Sequence, residues 1–202
     1  ALENETTTNG INMTKHLSID NTNILDNSAE VLDRGGIIVY PTDTLYGFGA
    51  DARNKDAIDK INKIKGRNSP MSVIAADFEQ LLSWTRLSDV ERDLVTENIG
   101  DKTTFILPAA EGIIHGSILG PNNTIGIRIP VHPFGPDLVA KIGYPITSSS
   151  VNRHGNTPLN NPTMINKEFG AEIDLIIDAG ILPSSEGSTI YMIHNNQLKK
   201  IR

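Results

Sequence analysis

Short β-branched runs alternate with segments of helical period along most of this chain, and that alternation constrains its fold more than any other feature. From Ile24 the apolar positions Ile24, Leu25, Val31 and Leu32 recur at helical spacing and stop at Gly35-Gly36, a C-terminal stop signal. Ile37-Ile38-Val39-Tyr40 follows as a buried strand closed by Pro41, and residues 41–49 read as the loop that it feeds. Asn54 is placed to cap a helix with inner face Ala57, Ile58, Ile61 and Ile64, ending near Gly66. Further helices are expected after Asp77, after Ser88 with Glu91 completing a capping box, over 136–142 with Gly143 as stop, and over 163–169. Strands are expected at 73–75, 104–107, 124–129, 145–148, 173–178, 188–193 and 198–201. Strands interleaved with helices imply an α/β architecture, a twisted mixed sheet with helices packed on it.

Nothing divides residues 19–202 into two domains, and a single domain of this length buries roughly 70% of its unfolded surface without needing a staple. Residues 1–18, rich in Asn and Thr and without periodicity, read as a flexible N-terminal tail. The absence of cysteine excludes disulfides, a thiol nucleophile, iron–sulfur clusters and Cys-type zinc sites. A net charge of −6 argues against a dedicated nonspecific nucleic-acid binder while leaving room for a local basic patch. No apolar run approaches the ~18 residues of a membrane span, and no signal sequence opens the chain, so it is expected to be soluble and cytoplasmic with no membrane partner.

Gly47-x-Gly49-x-x-Ala52 matches a dinucleotide fingerprint, but six residues separate Tyr40 from Gly47 and no acid closes a second strand at the required spacing. There is no P-loop and no serine-hydrolase elbow, and the five histidines lie scattered without metal-ligand spacing, so no protein-bound metal is expected. Without a nucleophile, catalysis would depend on positioning and charge stabilisation. Lys55, Lys60, Lys63, Lys65 and Arg67 form a positive island opposed only by Asp56 and Asp59. The first three could simply belong to a solvated helix face. Lys65-Gly66-Arg67 lies past the apolar stripe, where a mobile ammonium and a planar guanidinium can converge on phosphate oxygens. Ser148-Ser149-Ser150-Val151-Asn152, Thr42-Asp43-Thr44 and Ser188-Thr189 are polar strand-end clusters that either satisfy turns or face a ligand. Together they suit an anionic nucleotide beside a small polar substrate.

These residues resemble a known family. Pro41-Thr42-Asp43-Thr44-Leu45-Tyr46-Gly47-Phe48-Gly49 resembles the P-T-[DE]-T-x-Y-G-[LF]-G pattern of YrdC-like proteins. Lys65-x-Arg67, Thr104-Phe105, Gly126-Ile127-Arg128-Ile129-Pro130 with His132-Pro133, Ser150-x-Asn152, Gly187-Ser188-Thr189 and Ile201-Arg202 follow in the family's order. The resemblance implies the single-domain form of the threonylcarbamoyl-AMP synthases, an α/β domain whose twisted sheet forms a concave, positively charged cavity. Its implied reaction, a nucleotidyl transfer, makes threonylcarbamoyl-AMP and pyrophosphate from L-threonine, bicarbonate and ATP, with Mg²⁺ on the phosphates. The product serves tRNA modification through threonylcarbamoyl-transfer proteins. By the same resemblance Thr42, Arg128 and Ser188 hold threonine. Lys65, Arg67, Thr104, Ser148, Ser150, Asn152 and Arg202 hold the nucleotide, and Lys65, Arg67, Ser150 and Asn152 carry catalysis. The sequence leaves two other functions open: a tRNA or double-stranded RNA binding module of the same fold without synthase activity, and a related carbamoyl-adenylate enzyme.

Overall fold

The computed structural model describes residues 14–194 and 196–202. Its strands are β1 (Lys15–Ser18), β2 (Ile38–Pro41), β3 (Tyr46–Gly49), β4 (Ser72–Ile74), β5 (Thr103–Pro108), β6 (Thr124–Arg128), β7 (Ile146–Ser150), β8 (Leu175–Asp178), β9 (Thr189–His194) and β10 (Gln197–Lys200). The helices are α1 (Ile24–Asp33), α2 (Lys55–Lys65), α3 (Phe78–Ser83), α4 (Asp89–Asn98), α5 (Phe134–Ile142) and α6 (Pro162–Phe169). All ten strands join one sheet in the order β1-β8-β2-β3-β7-β4-β6-β5-β9-β10. Parallel pairs (β1 with β8, β8 with β2, β4 with β6, β5 with β9) are mixed with antiparallel ones, so the α/β expectation of a mixed sheet holds. No helix of the described residues is long and apolar enough to cross a membrane.

Local chemistry explains most boundaries. Asn54 accepts from Ala57 N–H at the start of α2, Asp77 accepts from Gln80 N–H at α3, and Ser88 with Glu91 forms a reciprocal capping box at α4. Ile38, Val39 and Tyr40 on β2 are fully buried, and α1 and α5 pack on this strand and on each other. Phe48 meets Phe169 of α6 edge-on with ring centroids 5.3 Å apart, continuing the core past β3.

Two segments correct the sequence reading. The second half of the expected 41–49 loop is strand β3, paired antiparallel with β2 so that Tyr40 lies opposite Gly47 and Ile38 opposite Gly49. A Cβ on Gly49 would sit 2.8 Å from Cε1 of Tyr40 and 2.9 Å from Cγ1 of Ile38. Gly49 therefore lets a fully buried tyrosine lie across the hairpin, and is no sign of a loop here. Within the expected 1–18 tail, Lys15–Ser18 forms β1 beside β8, tied there by backbone bonds such as Ile19 N–H to Asp178 O. The first thirteen positions of that tail lie outside the described residues.

Candidate active site

The β2–β3 turn, β5, β6, β7, the approach to β9 and Arg202 enclose a cavity of about 260 Å³. Of the residues expected in a site, Thr42, Arg67, Thr104, Arg128, Ser148, Ser150, Ser188 and Arg202 line it. They come from separate segments that the sheet order brings side by side.

The turn supplies a hydroxyl wall. Thr42 Oγ1 donates to Leu45 O at 2.7 Å and accepts from the N–H groups of Thr44 and Leu45, so it first closes its own turn. Thr44 Oγ1 lies 3.1 Å from it and accepts from Nη1 of Arg128 at 3.1 Å. Arg128, only 6% exposed, also donates from Nη2 to Asp43, and its buried Nε–H has no hydrogen-bond partner. Burial pushes the guanidinium pKa down while the Asp43 charge opposes the fall. That Nε–H is an unmet donor enclosed in the protein, whereas the terminal nitrogens of this cavity-lining guanidinium each keep a second N–H beyond the bonds to Thr44 and Asp43.

Across the cavity, Thr104 and Ser188 share a buried hydroxyl bond of 2.7 Å. Arg202 donates from Nε and Nη2 to the carbonyl of Ser188 at 3.3 and 3.0 Å, which fixes its fork at the rim. Arg67 is exposed and follows the left-handed Gly66, whose turn bonds Arg67 N–H to Asn62 O at 3.1 Å and brings the arginine to the cavity. Glu186 is the carboxylate among the lining residues.

Lys65 and Asn152 are placed differently from the expectation that they face the ligand. Neither lines the cavity. Lys65 turns inward, and its ammonium donates to Ser150 O at 2.5 Å, Asn152 Oδ1 at 3.0 Å and Asn152 O at 3.2 Å. An ammonium has three donors, and these acceptors occupy them. Asn152 Oδ1 also accepts from Ser150 Oγ at 2.7 Å, while its amide donates to Arg153 O and Asn156 O. The pair thus braces the end of β7 that carries Ser150. The rest of the basic island is also largely engaged: Lys55 pairs with Asp59, and Lys60 donates to Gly35 O behind α1. Sequence reasoning noted Asp43, Thr44 and, through the family resemblance, Arg128, but not the bonds that join them, and it gave no signal for Glu186.

The cavity therefore joins a buried guanidinium, two arginines at its rim and a row of hydroxyls. It can hold two anionic groups close together and align them. Comparison with known proteins gives concordant matches. The Sua5/YciO/YrdC family model, described as "Telomere recombination", matches residues 30–202. A Nitrosococcus oceani protein named threonylcarbamoyl-AMP synthase is 32% identical over 153 residues, covering 74% of this chain and 82% of that protein. The crystal structure of E. coli YciO superposes with a TM-score of 0.82 at 25% identity over 94% of each chain. P. abyssi Sua5, solved complexed with L-threonine, gives a TM-score of 0.82 at 24% identity over 94% of this chain. The chain spans 57% of that structure's length, and at this identity the likeness concerns the fold.

Proposed function

This chain belongs to the Sua5/YciO/YrdC family, and from that premise we propose that it is an L-threonylcarbamoyl-AMP synthase. In this reading the enzyme transfers the adenylyl group of ATP. The threonine amine attacks the carbon of bicarbonate and water leaves, giving a carbamate; a carbamate oxygen then attacks the α-phosphorus, and pyrophosphate leaves. The observation that carries the reading is the convergence of buried Arg128 with Arg67 and Arg202 on one cavity, which suits a carboxylate held beside phosphates. Arg128, with Thr42 and Ser188, takes threonine. Arg67, Arg202, Thr104, Ser148 and Ser150 take the nucleotide, and Lys65 with Asn152 holds Ser150 in place behind it. Aligned reactants and neutralised charge are what such a displacement requires of the protein.

The nucleotide is taken as MgATP. The described residues hold no cluster of three or more metal-binding side chains, and Mg²⁺ is commonly held through substrate phosphates with one or two carboxylates. Glu186 is the lining carboxylate available to meet it. The ion would supply charge neutralisation on the phosphates. The adenylate would then serve tRNA through transfer proteins in the cytoplasm.

The test is to incubate the chain with ATP, Mg²⁺, bicarbonate and threonine, measure pyrophosphate, and find the adenylate by mass. Release should need both threonine and bicarbonate. Equal release without threonine overturns the reading. Serine should be used less well by a margin of about 1–3 kcal/mol, the worth of one fitted methyl.

A further inference from the structure

Asp43 lies in the β2–β3 turn with its side chain 9% exposed, yet it does not line the cavity. Both of its oxygens are engaged. Oδ1 accepts from Nη2 of Arg128, and Oδ2 accepts from the backbone N–H groups of Lys102 at 3.2 Å and Val131 at 3.4 Å. One carboxylate thus gathers the hairpin turn, the approach to β5 and the exit from β6. Lys102 holds a φ of 57°, a left-handed conformation that costs a residue with a Cβ, and its carbonyl accepts from Thr189 N–H next to Ser188.

Arg128 has five N–H donors in a rigid plane. Asp43 and Thr44 pin one donor on each terminal nitrogen, which leaves a second N–H on each of them, while the Nε–H is buried without a partner. A guanidinium fixed on two sides presents its free donors in one orientation, so a carboxylate binds it with less ordering than a mobile side chain would demand. The geometry points to Asp43 as the residue that positions Arg128 for the carboxylate of the amino-acid substrate. It acts through Arg128 and does not touch substrate. The inference rests on the reading of Arg128 as the carboxylate seat.

A pure charge effect predicts the opposite sign. Asp43 is a negative charge near the place where another would bind, so removing it with no loss of order would tighten carboxylate binding. Asp43→Asn keeps the volume but turns an amide N–H toward donors, either Arg128 or the N–H groups of Lys102 and Val131, and so loosens the clamp.

The experiment is calorimetric titration of L-threonine, with steady-state kinetics and melting, on the full chain and on Asp43→Asn, Asp43→Glu and Thr44→Val. Asp43→Asn should weaken threonine binding and raise its KM by roughly 10- to 100-fold, the scale of a small misplacement, and leave the KM for ATP unchanged. Asp43→Glu, which keeps both acceptors and the charge, should recover most of the loss. Thr44→Val, which releases the other pin, should show the same selectivity at smaller size. Tighter threonine binding in Asp43→Asn overturns the proposal, as does an equal rise in both KM values that follows loss of melting temperature. Wild-type chain that binds threonine without turnover leaves the titrations to judge Asp43 and refutes the synthase reaction instead; wild-type chain that binds no threonine refutes both.

Discussion

At Lys65 a single proton serves stability and activity in opposite directions. Burial, reinforced by the neighbouring Arg67 charge, pulls its pKa down from 10.5 to about 8. Between those two values the unfolded chain binds a proton that the folded chain has released, so this group's contribution to stability rises with pH across that window. The protonated form is the one that grips Ser150 O and both oxygens of Asn152. Turnover should therefore fall as pH climbs through about 8, while the stability gap between wild type and Lys65→Gln shifts in favour of wild type. A pH–rate profile and melting curves of both proteins from neutral to alkaline pH check this. Lys65→Arg, which keeps its charge throughout, should move any falling limb upward. A limb unchanged in that variant would show that another group titrates.

Helix α2 and the β2–β3 hairpin owe their shapes to glycines that do different work. Gly66 ends α2 at φ 66° with no atom within 4 Å of an added Cβ, so Gly66→Ala should cost only the left-handed penalty, about 1–2 kcal/mol. Gly49→Ala drives a methyl into Tyr40 and Ile38 inside the core and should cost roughly 1–3 kcal/mol, with β3 shifting away from β2. Urea denaturation of both variants tests the pair, and a Gly49→Ala protein as stable as wild type would show that the hairpin can open without cost. The same elements show what a sequence can reveal. Helices α2 and α4 were legible because their caps are local: Asn54, Ser88 and Glu91 act within three residues of themselves. Strand β3 was hidden because Tyr46-Gly47-Phe48-Gly49 has turn residues where its partner's bulk needs space. Strand β1 was hidden because Lys15, His16 and Ser18 are exposed and only Leu17 is half-buried, leaving its identity to the pairing with β8. The site divides the same way. Hydroxyl clusters at strand ends marked its walls, whereas the inward turn of Lys65 and the grip of Asp43 on Arg128, 85 positions later, are set by tertiary packing.

At the scale of the whole molecule, the site exists only when the sheet is complete. Thr42, Arg67, Thr104, Arg128, Ser150, Ser188 and Arg202 span most of the chain, and the order β3-β7-β4-β6-β5-β9 is what closes them around one space. No small unit holds the cavity, so ligand binding must couple to global unfolding and not to one loop. A chain of net charge −6 that converges Arg67, Arg128 and Arg202 on this space also gains most from an anion that meets all three. Threonine with a non-hydrolysable MgATP analogue at 100 times its dissociation constant should add about 2.7 kcal/mol. For a domain of this size that raises Tm by roughly 5–11 °C. Hydrogen exchange should slow together in β2–β3, β5–β6, β7 and β9. Protection confined to 41–49 with an unmoved Tm would mean that the ligand grips the hairpin alone, and would count against a site built from both halves of the sheet. Threonine and nucleotide should also each raise the other's affinity, because whichever binds first has already ordered the arginines and hydroxyls that the second one meets.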